Sequence, residues 1–386
     1  MTVPLEGLMA INKPIGISSA EALRKLQRIF KPSSIFAETL AAEAAKRERE
    51  SKGQQRRRRK QSARDLEVKI GHGGTLDPMA SGVLVAGIGA GTKQLQQFLG
   101  CTKTYEATAL FGAGTDTYDA LGKIVAWGKE GSCGWERITE EVIEKELGAF
   151  RGDIMQKPPI YSALHMNGKR LYEYAREGKP LPAEIQSRPV STVSLELLSL
   201  TSDHEYEYPA EEVPDEEKIA LLAFETKPTT AATTTAAAST EEKATGEKRA
   251  HSPEPEDEKA AKKVKESEGE GEPVAETDTA EVITVAVETT PAATLPKKPE
   301  GKPPVATFRL TVTSGFYVRS FIHDLGKALG TEAHMVKLVR TRQGDYELGG
   351  EGVIEWEDLM DKGEEVWGPK VEGILNKWAE EKKGKK

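Results

Sequence analysis

The stretch Gly71-His72-Gly73-Gly74-Thr75-Leu76-Asp77-Pro78 lies between two apolar segments and carries a single acidic residue. Its glycines permit backbone conformations and close approaches that a side chain would block. Pro78 fixes the backbone angle that follows the acid. The stretch therefore predicts a rigid turn that presents the Asp77 carboxylate at the rim of a cleft. Taken alone, an aspartate in a glycine-rich turn more often serves only the turn itself.

Apolar periodicity on both sides of this turn predicts a domain that mixes strands and helices. Alternation at Tyr105, Ala107, Ala109 and Phe111 indicates a strand. Ser18-x-x-Glu21 is typical of a capping box at a helix start. Further strands are predicted at 7–11, 68–70, 83–88, 190–200 and 308–312, a strand or helix edge at 336–339, and helices at 18–30, 92–99, 139–150, 171–176 and 318–329.

Two segments differ in composition from the rest of the chain. Residues 34–66 are rich in Ala, Glu and Arg, and we interpret them as a charged insertion that is mobile or only partly helical. Residues 201–305 hold 25 acidic and 12 basic side chains and few aromatic ones. Such a segment cannot bury enough apolar area to offset its ordering entropy, so we predict a mostly disordered acidic low-complexity insertion with apolar pieces at 219–224 and 282–287 that suit edge strands. Since the whole chain carries a net charge of -8, the remainder carries +5, which favours a polyanionic partner.

Several other classes of protein are disfavoured. Cys101 and Cys133 show no paired spacing, and the six histidines show no ligand spacing, so we expect no disulfide framework and no metal site. The segment 87–93 superficially resembles a phosphate-binding loop but lacks the Gly-Lys-Ser/Thr ending, so no nucleotide cofactor is implied. No run of 18 apolar residues occurs, and residues 1–7 have the character of neither a secretory signal nor a transit peptide.

A series of short motifs accompanies the glycine-rich turn. In chain order they are Asn12-Lys13-Pro14-x-Gly16-x-Ser18-Ser19, Lys103-x-Tyr105, Gly114-Thr115-Asp116-Thr117-x-Asp119-Ala120-x-Gly122, Pro158-x-x-Tyr161-Ser162-Ala163-Leu164, Gly168-Lys169-Arg170-x-Tyr172-x-Tyr174-Ala175-Arg176, Gly315-x-Tyr317-x-Arg319-Ser320 and Asp324-Leu325-Gly326. With the turn at 71–78, this series resembles the motifs of the TruB family of pseudouridine synthases, and within it the eukaryotic, fungal-like Pus4 type. The resemblance covers most of residues 7–200 and 307–346.

The resemblance implies an α+β catalytic domain with a central mixed, largely antiparallel sheet, flanking helices and an active-site cleft. The part of the chain after residue 350 is too short for the full RNA-binding PUA domain that bacterial relatives often carry. The predicted division is 1–33, 67–200 and 306–350 for one discontinuous catalytic domain, 34–66 and 201–305 for the two insertions, and 351–386 for a C-terminal extension.

The resemblance also implies the roles of three catalytic residues. Isomerising uridine requires the N1–C1′ bond to break, the base to rotate, and C5 to join C1′, and a nucleophile can hold one fragment meanwhile. Asp77 takes this role, and attack on C1′ and attack on the uracil ring both fit. Arg319 is expected to hold the Asp77 carboxylate in a bidentate pair. Tyr105 is expected to stack on the target uracil and to move a proton on the ring.

Five further residues are expected to bind the RNA substrate. The resemblance implies that His72 enters the RNA stack in place of the flipped uridine. Tyr317 is similar to a second aromatic residue of the pocket, and Leu338 to an apolar residue that packs against the flipped base. Lys13 and Arg170 suit phosphate contacts. A plainer interpretation also fits each of the last three: core packing for Leu338, and a solvated charge for Lys13 and Arg170.

The function that the resemblance implies is that of an isomerase, a tRNA pseudouridine synthase that converts uridine 55 of the TΨC loop as a monomer, without cofactor, metal or guide RNA. One alternative is a guide-RNA-dependent snoribonucleoprotein synthase, which the lack of a full PUA domain disfavours. Another is a tRNA-folding chaperone whose catalysis is dispensable, which Asp77 and Arg319 disfavour. The basic clusters at 56–60 and at 248–249 with 262–265 resemble nuclear signals, so we expect the nucleus and cytoplasm, although the run at 56–60 equally suits a contact with RNA phosphates or a solvated loop. A mitochondrial pool is an alternative that no transit peptide supports.

Overall fold

A ten-stranded sheet with helices on both faces is the centre of the computed structural model. The structure describes residues 4–51, 53, 66–128, 135–179, 181–214, 218 and 301–384. The strands are β1 (Gly7–Lys13), β2 (Ile70–His72), β3 (Ser81–Ile88), β4 (Lys103–Phe111), β5 (Ala113–Thr115), β6 (Ile124–Trp127), β7 (Gly152–Gln156), β8 (His165–Met166), β9 (Lys169–Arg170), β10 (Arg188–Thr201), β11 (Val305–Val312), β12 (Ala333–Gln343), β13 (Tyr346–Glu347) and β14 (Val353–Glu355). The helices are α1 (Ser19–Phe30), α2 (Ala37–Glu48), α3 (Leu95–Gly100), α4 (Glu140–Leu147), α5 (Leu171–Arg176), α6 (Val318–Ala328), α7 (Trp356–Met360) and α8 (Glu364–Gly384), with short 3-10 helices at Ser34–Phe36, Gly89–Gln94, Trp135–Arg137 and Gly148–Phe150.

The main sheet contains both parallel and antiparallel strand pairs. Its order is β14-β1-β3-β12-β4-β11-β10-β7, with β2 paired to β3 and β13 paired to β12. The pairs β1–β14 and β3–β12 are parallel, and the other pairs of this sheet are antiparallel. Two small sheets are formed by β5 with β6 and by β8 with β9. The predicted α+β fold with a mixed, largely antiparallel sheet is confirmed.

Apolar side chains fill both faces of the central strands. Leu84 and Val85 are successive residues of β3 and belong to different core clusters, because successive strand residues point to opposite faces. On one face Phe308 packs with Phe321 of α6, their rings 5.6 Å apart at 84°. On the other face Phe98 of α3 belongs to the smaller cluster. Helix α6 therefore covers the face of the main core.

The predicted helices and strands are confirmed, with small shifts at their ends. The Ser18 hydroxyl accepts a hydrogen bond from the Glu21 N–H and caps α1, and Thr139 caps α4 in the same way. The spacing of Val142, Ile143 and Leu147 in the sequence predicts one buried face for α4, and the structure corrects this at Val142, which is 40% exposed. Helix α4 is short, and the residues it buries are Ile143 and Leu147.

The two predicted insertions are described only in part. Helix α2 occupies 37–48 of the first one, and none of its residues is buried. The basic run at 56–60, the apolar pieces at 219–224 and 282–287, and the clusters at 248–249 and 262–265 lie outside the described residues. After residue 350, β14 pairs with β1, and α8 buries Trp367 and Leu375 in the main core. No helix among the described residues is long and apolar enough to cross a membrane.

Candidate active site

The turn that carries Asp77 is held on one side by the segment that begins α1. The Ser19 hydroxyl accepts the Leu76 N–H at 2.8 Å and donates to the Leu76 carbonyl at 3.0 Å. The Gly16 N–H donates to the Pro78 carbonyl at 2.8 Å. Because these bonds fix the backbone on both sides of Asp77, its carboxylate is presented by a rigid loop.

Two glycines of this turn are required by close packing. A Cβ on Gly73 would lie 2.6 Å from the Phe98 Cβ, which is closer than two carbon atoms can approach. Gly74 has a φ of +147°, and a Cβ added there would lie 3.1 Å from Gln343 Nε2. The predicted need for glycine in this turn is confirmed at both positions.

Two buried side chains of β12 hold the same turn through hydrogen bonds to its backbone carbonyls. Arg340 donates from Nε to the Val83 carbonyl at 2.7 Å, and from its terminal nitrogens to the carbonyls of Gly74 at 3.2 Å and Thr75 at 3.4 Å. Gln343 Nε2 donates to the Gly73 carbonyl at 2.6 Å. Sequence reasoning missed both residues, because a buried arginine in a strand has the same local pattern as an exposed one.

Arg319, in the first turn of α6, lies against Asp77. Its Nε is 2.9 Å from Asp77 Oδ2, and the side chains are 6% and 35% exposed, respectively. The pair is therefore confirmed, but the bidentate geometry is wrong. The other two nitrogens of the guanidinium donate to the carbonyls of Thr117 at 2.7 Å and Tyr161 at 3.0 Å, which leaves one nitrogen for Asp77. The Nε–H does not point along the line to Oδ2, so the contact is an ion pair rather than an aligned hydrogen bond.

Asp119 is a second carboxylate beside the guanidinium. Its Oδ2 lies 3.7 Å from Arg319 Nη1, and its Oδ1 accepts the Thr117 hydroxyl at 2.8 Å and the Leu121 N–H at 3.0 Å. Burial raises the pKa of Asp119, the Arg319 charge and these hydrogen bonds oppose the rise, and Asp77 adds to it. Sequence reasoning placed Asp119 in a motif without giving it a role. Its spacing of two residues from Thr117 is the signal of a self-bonded turn.

The structure corrects the expectation for Lys13. Its side chain is completely buried, and its ammonium donates to the carbonyls of Pro14 at 2.7 Å and Ile17 at 2.8 Å. Burial lowers the pKa of Lys13 to about 8, an effect that Asp77 opposes and Arg340 reinforces. Neither a phosphate contact nor a solvated charge fits this environment. Lys13 instead holds the turn whose Gly16 contacts Pro78.

Tyr317 directly precedes α6 and is held by a side-chain amide. Its N–H donates to Gln156 Oε1 at 2.7 Å, and Gln156 Nε2 donates to its carbonyl at 3.0 Å. Burial raises the pKa of the Tyr317 phenol, and both Asp77 and Arg319 act on it electrostatically. The role of Tyr317 as a second aromatic residue of the pocket stays a prediction.

Tyr105 and Leu338 lie on the sheet face that α6 covers. Tyr105 pairs with Leu310 and Arg340, is half-buried, and packs against the main core. Leu338 pairs with Ala107, two residues along β4 from Tyr105, so the two are diagonal neighbours. Leu338 is 5% exposed, so core packing accounts for its position. Stacking of a uracil on Tyr105 and contact with Leu338 stay predictions.

His72 and Arg170 lie in different parts of the molecule. His72 ends β2 at the start of the turn that carries Asp77, and burial, with the charge of Arg340, lowers the pKa of its half-buried imidazole. Arg170 is exposed on the β8–β9 hairpin, where Nη1 donates to the Tyr172 hydroxyl at 3.0 Å. The structure thus brings Asp77 and Arg319 together, places Tyr317 directly before the helix that carries Arg319, and places Arg170 on a separate hairpin.

The described residues contain no group of three or more His, Cys, Asp or Glu that could hold a metal ion. Asp77 is open to solvent on one side and backed by a buried cation on the other. A substrate can reach this carboxylate, while the guanidinium fixes its direction.

Two family models match the chain. TruB family pseudouridylate synthase (N-terminal domain) matches residues 58–211, and tRNA pseudouridylate synthase B C-terminal domain matches residues 319–367. The chain is 40% identical over 370 residues to tRNA pseudouridine synthase 4 of Schizosaccharomyces pombe, covering 92% of this chain and 83% of the relative. It is 34% identical over 385 residues to tRNA pseudouridine synthase 4 of Saccharomyces cerevisiae, covering 97% and 86%. A chain of a crystallised Cbf5–Nop10–Gar1 complex matches at 19% identity with a TM-score of 0.45, covering 96% of this chain and 59% of that chain.

The two family models and the two fungal relatives define the class of protein as a pseudouridine synthase, which is an isomerase, and the mixed sheet and the arginine-held carboxylate agree with this class. The chain belongs to the TruB family of pseudouridine synthases.

Proposed function

We propose that this chain isomerises uridine 55 in the TΨC loop of tRNA. The observation that carries the proposal is the Asp77 carboxylate, which is 35% exposed and lies 2.9 Å from the buried Arg319 guanidinium. Two relatives that are similar over most of their length are named tRNA pseudouridine synthase 4, which supports tRNA as the substrate. The net positive charge of the chain outside residues 201–305 suits a polyanion.

In the proposed reaction Asp77 is the nucleophile. The N1–C1′ bond breaks, the base turns within the pocket, and a C5–C1′ bond forms. N1 gains a proton and C5 loses one, so the atoms of substrate and product balance. A transient bond to Asp77 holds one fragment during the rotation, and its cleavage returns the carboxylate. Arg319 fixes the direction of the nucleophile throughout.

Tyr105 and Tyr317 are proposed to form the aromatic lining of the uracil pocket. Tyr105 lies on the sheet face that α6 covers, and Tyr317 precedes that helix. A base between aromatic side chains gains stacking energy of about 1–3 kcal/mol per contact. We assign to Tyr105 the transfer of the C5 proton, and to Leu338 the apolar edge that borders the base.

His72 is proposed to replace the extruded base in the RNA stack. Its lowered pKa keeps the imidazole neutral at pH 7, and a flat neutral ring suits stacking between bases. Base extrusion costs a few kcal/mol, which the substitute partly offsets. We assign a phosphate contact to Arg170, since it is exposed and lies with Arg176 near the Tyr172 ring, their guanidinium carbons 5.8 Å and 5.1 Å from its centroid.

The function is tested with the full chain and an unmodified tRNA transcript, with pseudouridine mapped at single-base resolution. We expect product at position 55 with wild type and none with Asp77→Asn. The matched control is Asp153→Asn, the same chemical change at an exposed carboxylate on edge strand β7, which is expected to keep full activity. Wild-type product levels with Asp77→Asn would rule out this nucleophile.

We propose further that the T-arm stem-loop is a sufficient substrate, that no guide RNA is needed, and that the enzyme acts as a monomer. Purified protein is expected to convert a T-arm hairpin without any other RNA, and light scattering is expected to give the mass of one chain. Activity that appears only after cellular RNA is added would instead favour the guide-dependent alternative. Growth rescue by Asp77→Asn in cells that lack the enzyme would favour the chaperone alternative.

We propose a location in the nucleus and cytoplasm, supported by the basic clusters at 56–60, 248–249 and 262–265. A fluorescent fusion is expected to fill both compartments and to leave the nucleus when these clusters are changed to glutamine. A wild-type fusion found only in mitochondria would contradict the proposal.

A further inference from the structure

The turn between β5 and β6 holds a tyrosine in an unusual backbone conformation. Tyr118 has a φ of +63°, and Asn167 is the other non-glycine residue with a positive φ in the described part of the chain. Asparagine tolerates this region, whereas a bulky aromatic residue rarely adopts it. Backbone strain of this kind persists only where the surroundings over-determine it.

Two backbone hydrogen bonds hold Tyr118 in that conformation. Its N–H donates to the Thr115 carbonyl at 3.1 Å, and its carbonyl accepts the Met335 N–H at 3.0 Å. Met335 also accepts the Ala120 N–H at 2.9 Å. The turn is therefore fixed to strand β12 on both sides of Asp119.

The conformation places the Tyr118 ring on a buried histidine of α6. The rings of Tyr118 and His323 are stacked, with centroids 4.0 Å apart and planes inclined by 12°. His323 is 6% exposed, and burial together with Lys327 lowers its pKa to about 3, so the imidazole is neutral in the functional range of pH. The stack is thus a contact between two flat, uncharged surfaces.

His323 and Arg319 are four residues apart on α6 and therefore lie one above the other on the same face of the helix. The turn contacts both of them. The Tyr118 ring lies on His323, while the preceding carbonyl, that of Thr117, accepts Arg319 Nη1 at 2.7 Å. The residues that make these two contacts, Tyr118 and Thr117, are neighbours in the chain.

We propose that Tyr118 and His323 are positioning residues for the Arg319 guanidinium. The stack fixes the distance between the turn and α6, and this distance sets where the Thr117 carbonyl and the Asp119 carboxylate meet the guanidinium. With two of its nitrogens held by carbonyls, the Arg319 guanidinium keeps its Nε 2.9 Å from Asp77 Oδ2. The inference rests on the proposed catalytic roles of Asp77 and Arg319, and neither ring touches the reacting atoms.

The test compares Tyr118→Gly with Tyr118→Phe in the full chain. Glycine adopts the positive φ freely and removes the ring, whereas phenylalanine keeps the ring and loses only the hydroxyl. We expect kcat on tRNA to fall at least about tenfold in Tyr118→Gly with KM unchanged. A misdirected carboxylate reduces the stabilisation of the transition state but leaves the binding of RNA unaffected. Tyr118→Phe is expected to keep wild-type kcat.

A second pair of variants changes His323, the residue of the stack that lies on α6. His323→Phe keeps a flat apolar ring and is expected to retain kcat, whereas His323→Ala removes it and is expected to behave like Tyr118→Gly. All assays are run at a temperature where circular dichroism shows each variant as fully folded as wild type. A lower kcat then reflects a changed geometry of the active site rather than a loss of folded protein.

Three results would overturn the inference: wild-type kcat in Tyr118→Gly, an effect confined to KM, or an equal loss in Tyr118→Phe. A crystal structure of Tyr118→Gly supplies a readout that is independent of turnover. The inference expects the Arg319 Nε–Asp77 Oδ2 separation of 2.9 Å to lengthen, and an unchanged separation counts against it. Failure of the wild type to form pseudouridine in tRNA would contradict the proposed function and leave this structural readout intact.

Discussion

Replacing Arg340 by methionine tests whether a buried arginine below the catalytic turn holds it in place. The side chain is 1% exposed and donates to three backbone carbonyls, those of Val83, Gly74 and Thr75. Methionine has a similar length and an adaptable shape, so the substitution removes the donors with little change in packing.

The expected loss of stability follows from the donor–acceptor distances of the three Arg340 hydrogen bonds. A hydrogen bond from a charged donor contributes about 1.5–3 kcal/mol, and the lower end applies to the two bonds of 3.2 Å and 3.4 Å. Removing a buried charge also recovers part of its desolvation cost. We therefore expect the free energy of unfolding to fall by about 3 kcal/mol and kcat to fall by about a hundredfold, as the turn loses its support.

Denaturant unfolding measures the free energy of unfolding, and nuclear magnetic resonance titration measures the pKa of His72. Burial is the main cause of the lowered pKa of His72, and the Arg340 charge adds to it, so the pKa should rise toward 6.5 in the variant. The control is Arg342→Met, two residues along the same strand but exposed, where a change below about 0.5 kcal/mol is expected. A loss in Arg340→Met no larger than in Arg342→Met would refute the reasoning.

Three further predictions concern other parts of the molecule. Gly73→Ala places a methyl group 2.6 Å from the Phe98 Cβ, so we expect a loss of about 2 kcal/mol in unfolding free energy, whereas Gly100→Ala, in open space, serves as the control. Burial lowers the pKa of His334 to about 4, opposed by the Ala113 carbonyl, so the unfolded state binds the proton first as pH falls. The contribution of His334 to the unfolding free energy should therefore decrease by about 3 kcal/mol between pH 6.5 and 4, in addition to any loss from His323, and a His334→Gln variant with the same pH slope as wild type would contradict this assignment. Deleting residues 228–280 is expected to leave turnover on tRNA unchanged, because their composition suits no packed core, and loss of turnover in the folded deletion variant would show otherwise.

The fold and the central pair of the site were predictable from sequence for identifiable physical reasons. Alternation along 105–111 and the helical spacing in 318–329 reflect burial of one face, and both elements form where predicted. Asp77 and Arg319 are far apart in the chain, and no periodicity joins them. Their pairing was inferred from the motif resemblance, and the geometry then confirmed the contact.

The supporting residues were not predictable, because their roles depend on contacts that only the folded chain makes. The motif drew attention to Lys13 but did not indicate that its ammonium donates to the carbonyls of Pro14 and Ile17. The bidentate expectation for Arg319 failed for the same reason. Backbone carbonyls carry no signal in a sequence, yet two of them occupy the nitrogens that the carboxylate was expected to bind.

The pairing of β10 with β11 has a consequence for how this enzyme tolerates change. The two strands are antiparallel neighbours with Thr201 opposite Val305, so about a hundred residues connect what is geometrically a hairpin. A connection that is ten times longer costs only about 2 kcal/mol more to close, because the entropy loss grows with the logarithm of length. The connection is therefore a natural position for cutting the chain or for grafting another domain. Two fragments that end near 214 and begin near 301 should reassemble into one catalyst.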